Sequence, residues 1–210
     1  PSKSGFGFGP NQPNNRWRID KSSIRPGSGP ANLPGPPDTF AAYGLAWAML
    51  SNTPFRSTKL SGYEGGIRTP LIAKWPGVIK GGQLTDQVGH VIDLMPTCLE
   101  IAQTNYPVEF KGRKPLPVEG KSLLPIFRGE KRAGHETLCW SVPRHHVVRK
   151  GRWKAIRPQK GGEWQLFDLE ADGTETTDLA KQEPKRVQEL ARHFDMWQSR
   201  VEGNSRKKGN

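Results

Sequence analysis

The sequence is poor in cysteine and lacks long apolar runs. Cys98 and Cys139 are its only cysteines among 210 residues, so at most one disulfide can form and a disulfide framework is excluded. There is no Cys-x-x-Cys pair, and a structural zinc site is therefore not predicted. No stretch approaches the roughly 18 apolar residues that a transmembrane helix needs, which predicts no membrane span. Cys98 falls on the apolar face of a predicted helix, where we expect a buried free thiol.

The chain has few acidic residues relative to basic ones, with 20 Asp and Glu against 32 Lys and Arg. Its formal net charge is therefore +12. A surplus of this size attracts polyanions through counterion release and long-range steering. The basic residues are scattered, however, and the densest runs, 149–154 and 206–208, do not have the pattern of a base-stacking platform. We therefore predict no dedicated nucleic-acid site. A solvated basic surface and an affinity for sulfated polymers both remain open.

Residues 1–37 show neither helical nor strand periodicity and are rich in Pro and Gly. They are predicted to form an irregular segment, which is either a disordered linker or an ordered insertion over a domain surface. The chain does not begin with Met, and its first residues lack the basic-then-apolar pattern of a secretory signal. We expect the chain to be a piece whose N-terminus lies elsewhere.

Residues 38–134 alternate helix and strand signals. Thr39–Leu50 is predicted to be a short helix, and the near-continuous apolar run Thr69–Trp75 to be a buried strand of parallel type. Apolar residues at helical spacing predict a further helix over Thr85–Ala102, kinked or restarted at Pro96. A strand followed by a helix is an α/β unit, so this region is predicted to be the end of a larger layered sheet domain.

Residues 135–202 have a different pattern, in which turn residues separate short apolar runs. Pro184 suits the first position of a helix whose apolar residues trace one stripe from Val187 to Val201. A small antiparallel sheet backed by this helix is the predicted second subdomain, and residues 203–210 form a basic tail. The four predicted strands are Glu136–Val142, His146–Arg149, Arg152–Arg157 and Trp164–Leu169.

Several motifs occur along the chain in the order in which one enzyme family has them, over roughly residues 38 to 200. They lie in Tyr43–Gly77, His90–Cys98, Gly120–Pro125, Val148–Lys154 and Leu166–Leu169. Together they closely resemble the arylsulfatase family of the alkaline-phosphatase-like superfamily. The resemblance implies an α/β fold: the C-terminal part of a sulfatase-like α/β sandwich domain, then a small antiparallel sheet packed with a C-terminal helix.

The same resemblance implies a reaction. Sulfatases hydrolyse sulfate esters with a formylglycine, made from the first residue of a Cys/Ser-x-Pro/Ala-x-Arg motif, and with a bound calcium ion. Neither Cys98 nor Cys139 lies in such a motif, and the Asp-Asn-Gly calcium motif is absent. Calcium is therefore implied for a full-length protein, with its ligands outside this chain. We expect this chain alone to be inactive, and the resemblance is compatible with a periplasmic or extracellular location.

Lys59 is the single catalytic candidate. It lies five residues before Glu64-Gly65-Gly66, where the resemblance places an active-site lysine that contacts a sulfate oxygen. The alternative is an ordinary surface lysine. Glu64 is predicted to brace the loop with the help of unusual dihedrals at the two glycines, and Arg68 to pair with a carboxylate. His90 and Asp93 are predicted to anchor a helix through hydrogen bonds.

Two functional hypotheses follow. The first is the C-terminal portion of a sulfatase-family hydrolase that acts on a sulfate ester, with sulfated polysaccharides among the candidate substrates. The second is a noncatalytic polyanion-binding fragment of sulfatase descent, in which the net charge is the working feature. A sulfatase-derived domain with no surviving function is a third possibility. The sequence does not identify the substrate.

Overall fold

A computed structural model describes residue 20 and residues 22–26, 36–40 and 44–206. The predicted irregular segment 1–37 therefore lies largely outside the described residues, as do residues 207–210 of the predicted basic tail, and the predicted domain boundaries remain predictions. The described chain forms two compact units. One comprises residues up to Arg68 together with Trp140–Val147 and Ala155–Val187, and the other Thr69–Cys139, Val148–Lys154 and the chain from Gln188 onward.

The four predicted strands of the second subdomain are confirmed, with boundaries shifted by one or two residues. They form one antiparallel sheet in the order β3-β4-β5-β6. The backbone turns at Gly151 (φ 58°) and at Gly161 and Gly162 (φ 94° and 136°), where a Cβ would be strained. The strands are β3 Leu138–Val142, β4 His145–Lys150, β5 Trp153–Pro158 and β6 Gln165–Asp168.

The core of the first unit is built on this sheet. Val147, Ile156 and Phe167 form a buried cluster, because inward-facing residues of neighbouring strands meet on one face. Partly buried side chains pack against it: Tyr63, Ile67, Trp140 and Leu169.

The predicted C-terminal helix is confirmed as α5, Pro184–Arg206. Leu190 and Phe194 of its predicted stripe are buried, and Phe194 packs on Trp197 at 5.5 Å between ring centroids. The sequence expectation of an α/β fold with a small antiparallel sheet and a C-terminal helix therefore holds.

The predicted helix Thr39–Leu50 is wrong at its start. Thr39–Phe40 is a short strand, β2, that pairs in parallel with Arg25–Pro26, β1. Helix α1 begins only at Gly44 and runs to Ser51. The physical reason is that Asp38, the residue before β2, is bonded to Arg25 of β1. The backbone N–H of Arg25 donates to the Asp38 carbonyl at 2.7 Å, and the Arg25 guanidinium pairs with the Asp38 carboxylate at 2.8 Å.

The predicted strand Thr69–Trp75 does not form, since these residues have neither helix nor strand structure. Leu71 and Ile72 are 60% and 91% exposed. A strand exists only where a neighbour accepts and donates its backbone hydrogen bonds, and no described strand flanks this segment.

The predicted helix Thr85–Ala102 is shorter than expected. A 3₁₀ turn spans Val91–Asp93 and helix α3 spans Leu94–Ile101. Pro96 causes no restart because it lies in the first helical turn, where the backbone N–H groups have no intrahelical acceptor anyway.

The side of α3 that faces the protein interior was also predicted wrongly. Asp93 and Thr97 are the buried residues of this segment, whereas Cys98 is exposed. The polar groups are held inside by hydrogen bonds: Thr97 Oγ1 donates to the Asp93 carbonyl at 2.6 Å and accepts from the Leu123 N–H at 2.8 Å. Leu124, in the short helix α4 (Leu124–Phe127), is buried.

Candidate functional site

Lys59 lies on an exposed loop between α1 and the short helix α2, Glu64–Ile67. Its neighbour Thr58 is buried, whereas Lys59 itself is exposed. Two non-glycine residues close to it, Ser57 and Leu60, have left-handed backbones with φ of 72° and 69°. Such conformations cost free energy and persist only where surrounding contacts impose them. Within the described part of the chain, the Lys59 ammonium makes no hydrogen bond or ion pair and faces solvent.

Asn52 ties the two ends of this loop together. Its Nδ2 donates to the carbonyl oxygens of Ser57 at 3.0 Å and Gly65 at 2.8 Å. The Gly65 N–H in turn donates to the Arg56 carbonyl at 2.9 Å. These bonds bracket Lys59 in sequence, so they restrict the path of the backbone at Lys59 while its side chain is exposed.

Gly65 and Gly66 allow the loop backbone to pack closely against α2, and they do not adopt unusual dihedral angles. Neither has a positive φ, because both lie within α2. A Cβ on Gly66 would collide with the carbonyl oxygens of Thr58 and Ser61. The predicted dihedral role is therefore wrong. The glycines are needed because the loop carbonyls on either side of Lys59 pack directly against the backbone of α2.

Glu175 supports the Lys59 loop from the protein interior. It is fully buried, has a left-handed backbone (φ 60°), and its Oε2 accepts the Glu64 N–H at 2.6 Å. Its carbonyl accepts from Arg56 Nη1 at 3.0 Å. A carboxylate at the N-terminus of α2 satisfies a backbone donor that the helix itself leaves unpaired. Glu64 is thus structural, as predicted, and Arg68 lies 3.8 Å from its carboxylate.

Tyr63 anchors the end of the loop in the hydrophobic cluster. Its hydroxyl donates to Gln165 Oε1 at 2.5 Å, and its ring packs edge-on against Phe167. Burial raises the pKa of Tyr63 above its usual value although the nearby Arg56 guanidinium opposes the shift, so the phenol stays protonated and remains a donor.

His145 contacts the same loop. Its Nδ1 accepts the Gly62 N–H at 3.1 Å, which places the ring proton of the neutral form on Nε2. The predicted strand began at His146, and His145 also belongs to it, since β4 starts at His145. Their alternate directions follow from the strand period: His145 reaches the Lys59 loop and His146 is buried beside Ser141.

A second polar cluster surrounds Asp93 in the other unit. Its Oδ2 accepts from the His90 N–H at 2.9 Å and from Arg132 Nη2 at 2.8 Å. Its Oδ1 accepts from the Lys121 N–H at 2.8 Å and is 2.7 Å from His135 Nε2. His90 and Asp93 also form a capping box for the 3₁₀ turn. The predicted anchoring role of this pair is confirmed.

The described residues do not fit a calcium site. Among residues 44–206 and the short described segments before them, no group of three or more His, Cys, Asp or Glu side chains is placed to hold a metal ion. Both oxygens of Asp93, the most buried aspartate, are occupied by N–H donors and are not available to a cation. In the same part of the chain, no helix is long and apolar enough to cross a bilayer.

Comparison with known proteins identifies the family. Residues 58–201 match the family model of the C-terminal region of N-sulphoglucosamine sulphohydrolase. The chain is 34% identical over 168 residues to an uncharacterized sulfatase of Schizosaccharomyces pombe, covering 77% of this chain and 30% of that protein. It is 40% identical over 122 residues to mouse N-acetylgalactosamine-6-sulfatase, covering 58% and 22%. The chain belongs to the sulfatase family and corresponds to its C-terminal portion.

Solved structures agree with this assignment. A Bacteroides thetaiotaomicron protein of glycosaminoglycan metabolism is 25% identical to this chain, with a TM-score of 0.54. The match covers 69% of this chain and 32% of that protein's chain. The structure of Ps i-CgsB, at 23% identity, has a TM-score of 0.57 with the same two coverages and supports the fold alone. The chain spans less than a third of the length of the relatives described here.

The residues that hold the Lys59 loop are not evident from the sequence. Glu175 lies 111 residues from Glu64 along the chain, and Tyr63 lies 102 residues from Gln165. No periodicity connects positions so far apart. The local feature around Glu175 is the acidic and Thr-rich run 172–178 after β6, which by itself predicts only a turn at Asp172-Gly173.

Proposed function

We propose that this chain is the C-terminal portion of a sulfate-ester hydrolase and that Lys59 supplies a fixed positive charge to its sulfate site. The observation that carries the proposal is the Lys59 loop itself. Its backbone is held by Asn52, by the buried Glu175 and by Tyr63, while the ammonium is left exposed. A rigid loop that presents an unpaired cation is suited to an anion, because little reorganisation accompanies binding.

The residues present in this chain determine which part of the reaction it would support. Lys59 would donate to a nonbridging sulfate oxygen and stabilise the negative charge that develops as the ester bond breaks. The formylglycine nucleophile and the calcium ion would be supplied by residues outside this chain. The described residues offer no substitute for either, so the chain alone should not turn over a sulfate ester. Sulfated glycans are the candidate substrate class, in keeping with the relatives named above.

A chimera tests this proposal. The part of the S. pombe sulfatase ahead of its matched region would be fused to this chain and assayed with a chromogenic aryl sulfate. We expect turnover by the fusion and none by the chain alone, and Lys59→Ala should lower kcat/KM by about 10²–10³-fold. Lys80→Ala, another exposed lysine, is the matched control and should leave the rate unchanged. Turnover by the chain alone, or equal rates for both variants, would overturn the proposal.

A second candidate, noncatalytic polyanion binding, is favoured by one local feature. Phe110 and Arg113 exchange both backbone hydrogen bonds, at 2.9 and 3.1 Å, across a two-residue turn. Lys111 and Gly112 have φ of 51° and 72°, the signs of a type I′ turn. The turn presents Lys111, Arg113 and Lys114 next to one another, all exposed.

The two candidates differ in which lysine matters. Binding to immobilised heparin that weakens steeply with salt and is lost in Lys111→Ala, but is unchanged in Lys59→Ala, would favour the noncatalytic function. Turnover that depends on Lys59 favours the hydrolase.

A further inference from the structure

The Lys59 loop lies directly on strand β4 at Gly62, three residues after Lys59. The Gly62 N–H donates to Nδ1 of His145 at 3.1 Å. A Cβ on Gly62 would collide with the side chain of Val147, which is fully buried, and would lie 3.0 Å from Cβ of His145. Only a glycine allows the backbone to come this close. The hydrogen bond to His145 therefore joins the loop to the sheet where the two are already in direct contact.

This hydrogen bond depends on the charge of the imidazole ring. A neutral imidazole has one acceptor nitrogen, whereas an imidazolium has none because both of its nitrogens carry protons. Protonation of His145 would set a second N–H donor against the Gly62 N–H. The side-chain amide of Asn52, which holds the loop at Ser57 and Gly65, keeps its donors in acid. The loop thus has one contact that acid removes and another that acid leaves in place.

Several titratable or charged groups surround the His145 ring. Its centroid is 5.3 Å from that of Tyr63 in an edge-on arrangement, and the Arg56 guanidinium lies 4.3 Å from the centre of the Tyr63 ring. A second histidine, His146, lies beside Ser141. Of these side-chain types, histidine is the one whose charge ordinarily changes between about pH 5 and 8. The groups near the ring, two of them acting on Tyr63, are Arg56, Tyr63, Arg144, His146, Glu175 and Asp178.

We propose that His145 is a positioning residue for Lys59, holding its loop through Gly62 only while the imidazole is neutral. The inference rests on the proposed function, since the sulfate contact of Lys59 is what such positioning would serve. Acid would protonate the ring and end the hydrogen bond, and the loop would remain held by Asn52 and the buried Glu175. The ammonium of Lys59 would then be less accurately placed, and a displacement of about 1 Å can cost about 100-fold in rate.

Hydrogen exchange of the Gly62 amide tests the structural step in the chain alone. The matched variant is His145→Asn, because an asparagine side chain places an acceptor oxygen close to the position of Nδ1 and keeps that acceptor in acid. The two proteins are compared at the same pH, so that the intrinsic exchange rate cancels. We expect equal protection near pH 8 and, near pH 5, exchange at least about fivefold faster in the wild type. Equal exchange at both pH values would overturn the proposal.

Kinetics of the fusion with the S. pombe sulfatase portion test whether the hydrogen bond serves Lys59. At neutral pH, His145→Ala should lower kcat/KM about tenfold, and His145→Asn should recover most of the loss. In a Lys59→Ala background, His145→Ala should cost nothing further, because the group that it positions is gone. His193→Asn, which replaces a histidine on α5 beside Lys150, is the control and should leave the rate unchanged. An equal loss in both backgrounds would mean that His145 supports only the fold.

The pH profile of the fusion supplies a readout that a purely structural residue would not change. Other titrating groups affect wild type and His145→Asn alike, so the ratio of their kcat/KM values isolates the imidazole. This ratio should fall at least about fivefold between pH 8 and pH 5. A ratio that does not vary with pH would contradict the proposal. Urea unfolding checks that both variants fold, and the comparison with His145→Asn suffices where His145→Ala does not fold.

The outcomes separate this inference from the proposed function. If Lys59→Ala leaves the turnover of the fusion unchanged, the proposed function fails. Faster exchange of the Gly62 amide in acid, seen in the wild type and not in His145→Asn, would still uphold the control of the loop by His145. If Lys59→Ala lowers turnover but the exchange of Gly62 is the same in both proteins, the proposed function stands and the role of His145 is overturned.

Discussion

The four-stranded sheet and the region 69–101 both have strongly apolar sequence patterns, but they bury these residues to very different extents. In the sheet, Val147, Ile156 and Phe167 are buried to 1% exposure or less. In region 69–101, Ile72 and the α3 side chains Leu94, Met95 and Ile101 remain in contact with solvent. An apolar sequence pattern indicates that residues favour burial. They are buried only where the chain provides a surface that packs against them.

The largest expected contrast is in stability. Phe167→Ala should lower the free energy of unfolding by about 3–5 kcal/mol, because it leaves a cavity among Val147, Ile156 and Tyr63. Ile72→Ala should change it by less than about 0.5 kcal/mol, because no described contact is lost. Urea unfolding followed by tryptophan fluorescence measures both. A cost above about 2 kcal/mol for Ile72→Ala would mean that segment 69–74 is packed in this chain after all.

The Asp93 cluster shows that region 69–101 is nevertheless well ordered on its inner side. Asp93→Ala should destabilise the chain by about 3–5 kcal/mol, because it leaves the guanidinium of Arg132, itself 5% exposed, buried without its carboxylate. Thr97→Ser, which keeps the hydroxyl bridge between Asp93 and Leu123, is the mild control. The free energy of unfolding of both variants is measured by urea unfolding. Equal losses for the two would contradict the role of Asp93 as the partner of buried Arg132.

The same carboxylate gives a pH dependence with a definite sign. Burial alone would raise the pKa of Asp93, but hydrogen bonds from its four donors outweigh burial and hold it below its usual 3.8. A group whose folded pKa is depressed stabilises fully above the unfolded pKa and loses that stabilisation as pH falls. The stability difference between wild type and Asp93→Asn should shrink as pH falls below about 4. A difference that grows in acid would be the wrong sign.

Sequence reasoning succeeded where structure is set locally. The strands β3 to β6 are short apolar runs separated by turn residues, and α5 has both an N-terminal Pro and a continuous stripe, so each element could be predicted from its own residues. Family resemblance located Lys59, but the residues that hold its loop come from distant positions such as Glu175 and His145. The direction of α3 also escaped prediction, because Asp93 and Thr97 are buried through partners near residues 121–135 that no helical period reveals.

The smallest expected effect tests whether α5 is held by its apolar stripe rather than by surface charge. Lys150 Nζ on β4 lies 2.8 Å from Glu189 Oε1 on α5, and both side chains are about one-third exposed. Solvent screens such a pair, so Glu189→Gln should cost only about 0.2–1 kcal/mol, and the cost should fade in 1 M salt. Asp195→Asn, an exposed carboxylate on the same helix, is the control, and a double-mutant cycle with Lys150→Met isolates the pairwise energy. A coupling above about 2 kcal/mol that survives in salt would show that this ion pair, and not only Leu190 and Phe194, holds the helix in place.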